Sequence, residues 1–230
     1  MDDVSVADTL HQSFVRSYHE MKRPDECISC DGENIWWNGT RYRSATGVID
    51  GQSVTVSSFP CHRVRCATCR KSWTLLPEGL LPGRHFDLAV GAGALSAYLS
   101  GPEVSLESAA AAASLSARTL GRFRDWVAGL VSPVLLDRLV GKVSGMPILS
   151  RLLPVAEPER KAKRDPRRRK VLELAAQVLS LTEALAAAVG LAAPGLSSLV
   201  SRVFRGRCRP TFHRGESIPA EAWRQAAGLR

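Results

Sequence analysis

Apolar positions recur with period two between residues 35 and 65 and with the period of a helix beyond residue 83. Ile35-Trp36-Trp37 and Thr40-Arg41-Tyr42-Arg43 read as a strand pair around Asn38-Gly39, a dipeptide suited to the positive φ values of a tight hairpin turn. Ser53-Val54-Thr55-Val56-Ser57 alternates, and His62-Arg63-Val64-Arg65 is a further extended run. After Leu81-Pro82 the spacing predicts a helix over 83–99, stopped by Ser100-Gly101-Pro102. Ser105 is placed to cap a short helix running to Ala113, with Ser114-Leu115 as a turn and Leu115 pointing in. Ser116 then caps a second helix, on which Leu120, Phe123 and Val127 share one face. Ala117, Arg118, Gly121, Arg122 and Asp125 fall on the opposite face. The alanines of the short helix let the two helices cross closely, as a helix-turn-helix requires. Further helices are predicted over 134–153, 171–189 and 195–204, with no internal repeat.

Six cysteines change this picture. Cys27-Ile28-Ser29-Cys30 and Cys66-Ala67-Thr68-Cys69 are two C-x-x-C pairs separated by 35 residues. Such a turn aims two sulfurs and several backbone N–H groups at one point, which is half of a tetrahedral thiolate site. Two of them on adjacent hairpins make a zinc ribbon, with Trp73 closing it. A thioredoxin-type redox centre needs a single C-x-x-C at a helix start, and a reducing compartment disfavours disulfides. Cys27, Cys30, Cys66 and Cys69 are therefore expected to hold a structural Zn2+ with no open coordination position. Cys61 reads as a strand thiol, and Cys208 and His213 as residues of an arginine-rich tail.

Charge adds a partner class. Lys and Arg number 31 against 22 Asp and Glu, a net +9 with a pI near 9.7, so polyanions come first and nucleic acid before membrane. Apolar residues at 45 % exclude a wholly disordered chain, and aromatics at 6 % make the core depend on Leu, Val and Ala. Residues 160–170 hold eight basic side chains and one acid. With Pro158 and Pro166 nearby, 157–170 reads as an exposed linker whose Arg160, Lys161, Lys163, Arg164, Arg167, Arg168, Arg169 and Lys170 meet DNA phosphates. Arg202, Arg205, Arg207, Arg209 and Arg214 form a more scattered second patch.

The start, Met1-Asp2-Asp3-Val4-Ser5, lacks the apolar core of a secretory signal. The apolar stretch 171–193 is interrupted by Glu173, Gln177 and Glu183, each charge costing roughly 2.5–3.5 kcal/mol at a bilayer centre. A buried amphipathic helix in a cytoplasmic protein is the expectation, with no membrane partner.

The C-x-x-C pairs, the link Ser72-Trp73-Thr74-Leu75-Leu76-Pro77-Glu78-Gly79-Leu80-Leu81-Pro82 and the helices that follow resemble a family of bacterial zinc-ribbon proteins often found beside mobile elements. The same arrangement is similar to the N-terminal DNA-binding region of insertion-sequence transposases. The resemblance covers about residues 25–127. It implies zinc on Cys27, Cys30, Cys66 and Cys69 and a recognition helix over 116–126; on that helix Ser116, Arg118, Thr119 and Arg122 are the expected DNA contacts, with Arg118 and Arg122, at i and i+4, placed by register to reach guanine edges or phosphates. Those transposases continue into a ribonuclease-H-like domain with spaced carboxylates; here no alternating strand blocks follow Trp126.

The expected fold is thus mainly α with a small N-terminal β zinc ribbon, a helix-turn-helix, and a helical C-terminal region. The expected divisions are an N-terminal segment over 1–24, the ribbon over 25–82, the helix-turn-helix over 83–130 and a basic helical region over 131–230. No Gly-rich phosphate loop, Ser/His/Asp set or open metal site points to an enzyme. The expected function is a zinc-stabilised DNA-binding protein, accessory to a mobile element or a transcriptional regulator. The alternatives are a module docking a protein such as a transposase, with Trp36, Trp37 and Trp73 as its face, or a decayed transposase fragment. The Ala-Leu seam over 171–189 offers a homo-oligomer face.

Overall fold

The computed structural model describes residues 3–27, 29–49, 52–77, 79–80, 84–145, 155–163, 165–191, 195–204 and 220–229. The fold is mainly helical with one small antiparallel sheet near the N-terminus. It divides into two compact units, one comprising Met1–Leu88 with Phe204–Phe212 and the other Ala89–Val203 with His213–Arg230.

In the first unit, helix α1 (Asp3–Glu20) precedes strands β1 (Ile35–Ile49), β2 (Gln52–Cys66) and β3 (Ser72–Thr74), hydrogen-bonded in the order β1-β2-β3. β1 and β2 form one long hairpin, 15 residues on each side and about 50 Å from end to end at strand rise. Its register runs from Ile35↔Cys66 to Ile49↔Gln52, which leaves Asp50-Gly51 between the paired ends. The hairpin therefore does not turn at Asn38-Gly39. Those residues lie inside β1 at a register shift, with Gly39 at φ +83°. Both dipeptides carry hairpin chemistry. Pairing at full length decides between them, because only the later turn gives Ala45, Val56 and Phe59 a common core.

That core includes helix α1, which lies in the N-terminal segment over 1–24 for which no helix is predicted. Val6, Leu10 and Phe14 recur every fourth residue and are buried. Leu10 and Phe14 pack on Ala45, Val56, Phe59, Cys61 and Leu80, with the Phe14 and Phe59 rings 4.4 Å apart. A second cluster, Cys27, Ile35, Val64, Cys66, Trp73 and Leu75, lies under the cysteines.

The second unit holds α2 (Leu88–Ser100), α3 (Leu106–Ala112), α4 (Ala117–Leu130), α5 (Pro133–Ser144), α6 (Pro158–Ala162), α7 (Pro166–Ala188), α8 (Gly195–Phe204) and α9 (Ala220–Ala226). α7 is the central element and packs against α4, α5 and α6 through Leu172, Ala175, Val178, Leu179, Leu181 and Leu185. It is the one described helix long and apolar enough to cross a bilayer by length and composition, and half of its most apolar window is buried by the chain. The start of α8 comes close to α7: a Cβ on Gly195 would stand 2.5 Å from the carbonyl oxygen of Thr182.

Three helix boundaries differ from expectation. The helix expected over 83–99 starts at Leu88. α5 stops at Ser144 because Gly145 takes the left-handed cap, φ 73°, and its N–H bonds to Gly141; residues 146–154 lie outside the described residues. The 157–170 stretch is not a linker but α6 and the first turn of α7. Pro158 and Pro166 each open a helix, a position where the missing N–H costs nothing, and Asp165 caps α7 by accepting from the Arg167 N–H at 2.9 Å.

Candidate metal centre and basic groove

The hairpin explains why two distant C-x-x-C pairs meet. Cys27 and Cys30 lie just before β1, and Cys66 ends β2; the register brings both pairs to the same end of the hairpin. The two turns repeat each other's backbone. The N–H of Cys27 bonds to the carbonyl of Gly32 at 2.9 Å, and that of Cys66 to the carbonyl of Lys71 at 3.0 Å, five residues on in each case. Asp31 and Arg70, each directly after the second cysteine of its pair, both take positive φ, 54° and 59°. Backbone N–H groups point at sulfur: Ser29 donates to Cys27 Sγ at 3.4 Å and Cys69 to Cys66 Sγ at 3.5 Å. The first loop sits against the second, since a Cβ on Gly32 would stand 3.0 Å from Thr68 Oγ1.

All four sulfurs lie within 4.8 Å of one another, with Cys27–Cys69 and Cys30–Cys66 each at 3.6 Å. A tetrahedral ion with sulfur ligands at about 2.3 Å spaces its ligands about 3.8 Å apart. The cluster has the size of such a site, and four soft thiolates are a donor set for zinc. Electrostatics point the same way. Backbone donation from Cys69 leads the causes that pull the Cys66 thiol down to about 6, helped by the thiols of Cys27 and Cys30. The Gly32 N–H lowers the Cys30 thiol, but desolvation and the three neighbouring sulfurs outweigh it and push the group up to about 12. Burial raises Cys27. A cation between the sulfurs would favour the thiolate form of each.

Cys61 stands outside this cluster. It is buried with Phe59 and Leu10, and desolvation pushes its thiol up to about 11, so it serves as a small apolar side chain. Cys208 and His213 lie outside the described residues. Trp73 is 5 % exposed and belongs to the core beneath the cysteines, which removes it from any docking face. Trp37 is engaged on one side of the hairpin: its ring lies 4.4 Å from that of His62, which stacks on Tyr18 at 3.8 Å and donates from Nε2 to the Tyr18 carbonyl.

In the second unit, α3 and α4 are joined by four residues and both are capped as the sequence implied. Ser105 Oγ accepts from the N–H of Ser108 and Ser116 Oγ from that of Thr119 at 3.1 Å. Leu120, Phe123, Val127 and Leu130 are buried, while Arg118, Arg122 and Asp125 are exposed. Ser114 takes φ 54°, and Leu115 is half-buried. Arg118 and Arg122 line an open groove of about 590 Å³ together with Arg124, Arg167, Arg168, Asp125 and Asp165. Asp125 is held by Arg124 at 2.6 Å and Asp165 is spent on the α7 cap, so the groove is positive in balance. The packing of α4 on α7 thus joins two sets of arginines that lie some 45 positions apart in sequence.

Comparison with protein-family models, with curated proteins and with solved structures finds no match.

The remaining basic residues divide. Ser116 and Thr119 turn their hydroxyls toward each other, 2.8 Å apart, to complete the cap. Arg160 is exposed but paired with Glu103 and Glu157, and Arg169 with Glu173. Lys161 is buried, contrary to its place in an expected exposed linker. Its ammonium bonds to the carbonyls of Tyr98 and Gly101 and lies 4.7 Å from the Tyr98 ring centroid, closing the C-terminal end of α2. Burial lowers its pKa, as desolvation of a cation must. Lys163 and Lys170 are exposed, and Arg164 lies outside the described residues. Nothing in the sequence marks the inward role of Lys161, because Tyr98 and Gly101, whose carbonyls it reaches, lie about 60 positions away.

Proposed function

We propose that the protein binds duplex DNA, with a zinc ribbon bracing its N-terminal unit and α3 and α4 acting as a helix-turn-helix. The observation that carries this reading is the groove in which Arg118 and Arg122 of α4 stand beside Arg167 and Arg168 at the start of α7. In such a motif the N-terminal half of the second helix enters the major groove, and Arg118 and Arg122, one turn apart, reach guanine edges. Arg167 and Arg168 then neutralise the flanking phosphates and set the register. The metal, when bound, supplies folding energy and no chemistry, since four thiolates leave no open position. The role is that of a cytoplasmic accessory protein of a mobile element or of a transcriptional regulator, without catalytic activity of its own.

Each neutralised phosphate adds about 0.9 to the slope of log K against log salt on B-DNA. Replacing Arg167→Gln together with Arg168→Gln should therefore lower that slope by up to about 2 while leaving helical content unchanged. Duplex binding titrated between 50 and 200 mM salt reads this directly; equal slopes for the parent and the variant would remove the α7 arginines from the interface.

A further inference from the structure

The three strands of the first unit carry Arg41, Arg43, Arg63 and Arg65 and not one acidic residue. Residues directly opposite in antiparallel strands share a face, as do alternate residues along a strand. Trp36 lies opposite Arg65, and Arg65 opposite Ser72 of β3, so these three form one row across the sheet. Arg63, two residues along and opposite Thr74, adds the next row on that face, and beyond it Cys61 turns into the core under α1. Rows recur about every 6.6 Å along the strands. This is the side of the hairpin away from the Trp37–His62–Tyr18 stack.

Trp36 is 59 % exposed and has no ring partner among the described residues. Arg63 and Arg65 are exposed and make no ion pair among the described residues. The neighbours of Trp36 on the face are arginines, Asn38 and Ser72 rather than apolar side chains. A protein partner that buried Trp36 would have to desolvate these cations. A duplex has no free base face to offer it. An unpaired base has one, and its phosphates match the arginines.

We propose that the outer face of the hairpin at its cysteine end, Trp36 with Arg63 and Arg65, binds single-stranded nucleic acid by stacking a base on the Trp36 indole while the arginines follow the backbone. The surface is separate from the α4–α7 groove and does not depend on the duplex-binding role of that groove. Stacking tolerates any base, so the face gives affinity without sequence preference.

The test uses the full-length, zinc-loaded chain and a fluorescein-labelled 12-mer of deoxythymidine, read by anisotropy at moderate salt. The unmodified 12-mer binds, and an abasic 12-mer of the same charge binds much more weakly. Trp36→Ala lowers affinity for the thymidine strand by about five- to 150-fold, the range seen for loss of one stacked base. Trp36→Phe keeps most of the affinity because it keeps a ring, and Arg63→Ala with Arg65→Ala flattens the salt dependence. Arg118→Ala with Arg122→Ala leaves single-strand binding within twofold, which separates this surface from the duplex groove. Equal binding of the abasic strand, an unchanged affinity for Trp36→Ala, or equally tight binding of polyglutamate of matched charge would overturn the proposal, the last in favour of an acidic protein partner.

Discussion

Cys66→Ser should strip the ribbon of its metal. The purified parent is expected to carry one zinc per chain and the variant none, by elemental analysis of the native protein. Structural sites of this type contribute roughly 10–16 kcal/mol of apparent binding energy near neutral pH, and that energy is folding energy. The core it supports is small: Cys27, Ile35, Val64, Cys66, Trp73 and Leu75. Loss of the ion should therefore expose Trp73 and shift the protein's tryptophan emission to the red, and a chelator should do the same to the parent. Cys61→Ser is the control, because its thiol lies in the other cluster, and it should keep a full complement of metal. Affinity should also rise with pH. Metal uptake displaces protons from Cys27 and Cys30, whose thiols are pushed up, whereas Cys66 is a thiolate above about pH 6 already. A Cys66→Ser protein with one zinc and an unshifted spectrum would contradict the site.

The second large effect belongs to α4. Arg118→Ala with Arg122→Ala should remove base reading while sparing the fold, since both side chains are exposed and the buried stripe of Leu120, Phe123 and Val127 is untouched. A well-placed bidentate arginine discriminates by about 1–3 kcal/mol, so the pair is worth between about 30-fold and about 25,000-fold in preference for the selected site. Binding to arbitrary duplex should fall much less, because Arg167 and Arg168 remain. Competition between the selected site and random duplex, compared for parent and variant, reads the difference. A preserved preference would mean that α4 does not read bases.

Local chemistry was legible in the sequence, and long-range approach was not. The four cysteines could be assigned because C-x-x-C is a complete half-site within four residues, and the two turns then proved to share the same backbone bonds. The caps at Ser105 and Ser116 were equally local. The hairpin turn failed because Asn38-Gly39 and Asp50-Gly51 are chemically alike, and only the packing of Ala45, Val56 and Phe59 under α1 separates them. α1 itself announced its period at Val6, Leu10 and Phe14, yet nothing nearby told what that stripe would cover. In the 157–170 stretch proline is equally at home in a linker and at a helix start, and Pro158 and Pro166 each stand at a helix start. Charge alone placed Lys161 on the surface, while its actual partners are the carbonyls ending α2. The groove joining Arg118 and Arg122 to Arg167 and Arg168 exists only because α4 packs on α7.

The most direct test of the central claim is selection of the zinc-loaded protein against a randomised duplex pool, sequenced after rounds at 50 and 150 mM salt. The account predicts one enriched motif at both concentrations, with affinity falling steeply as salt rises. Absence of any enriched motif, with binding lost or indifferent to salt, would contradict it.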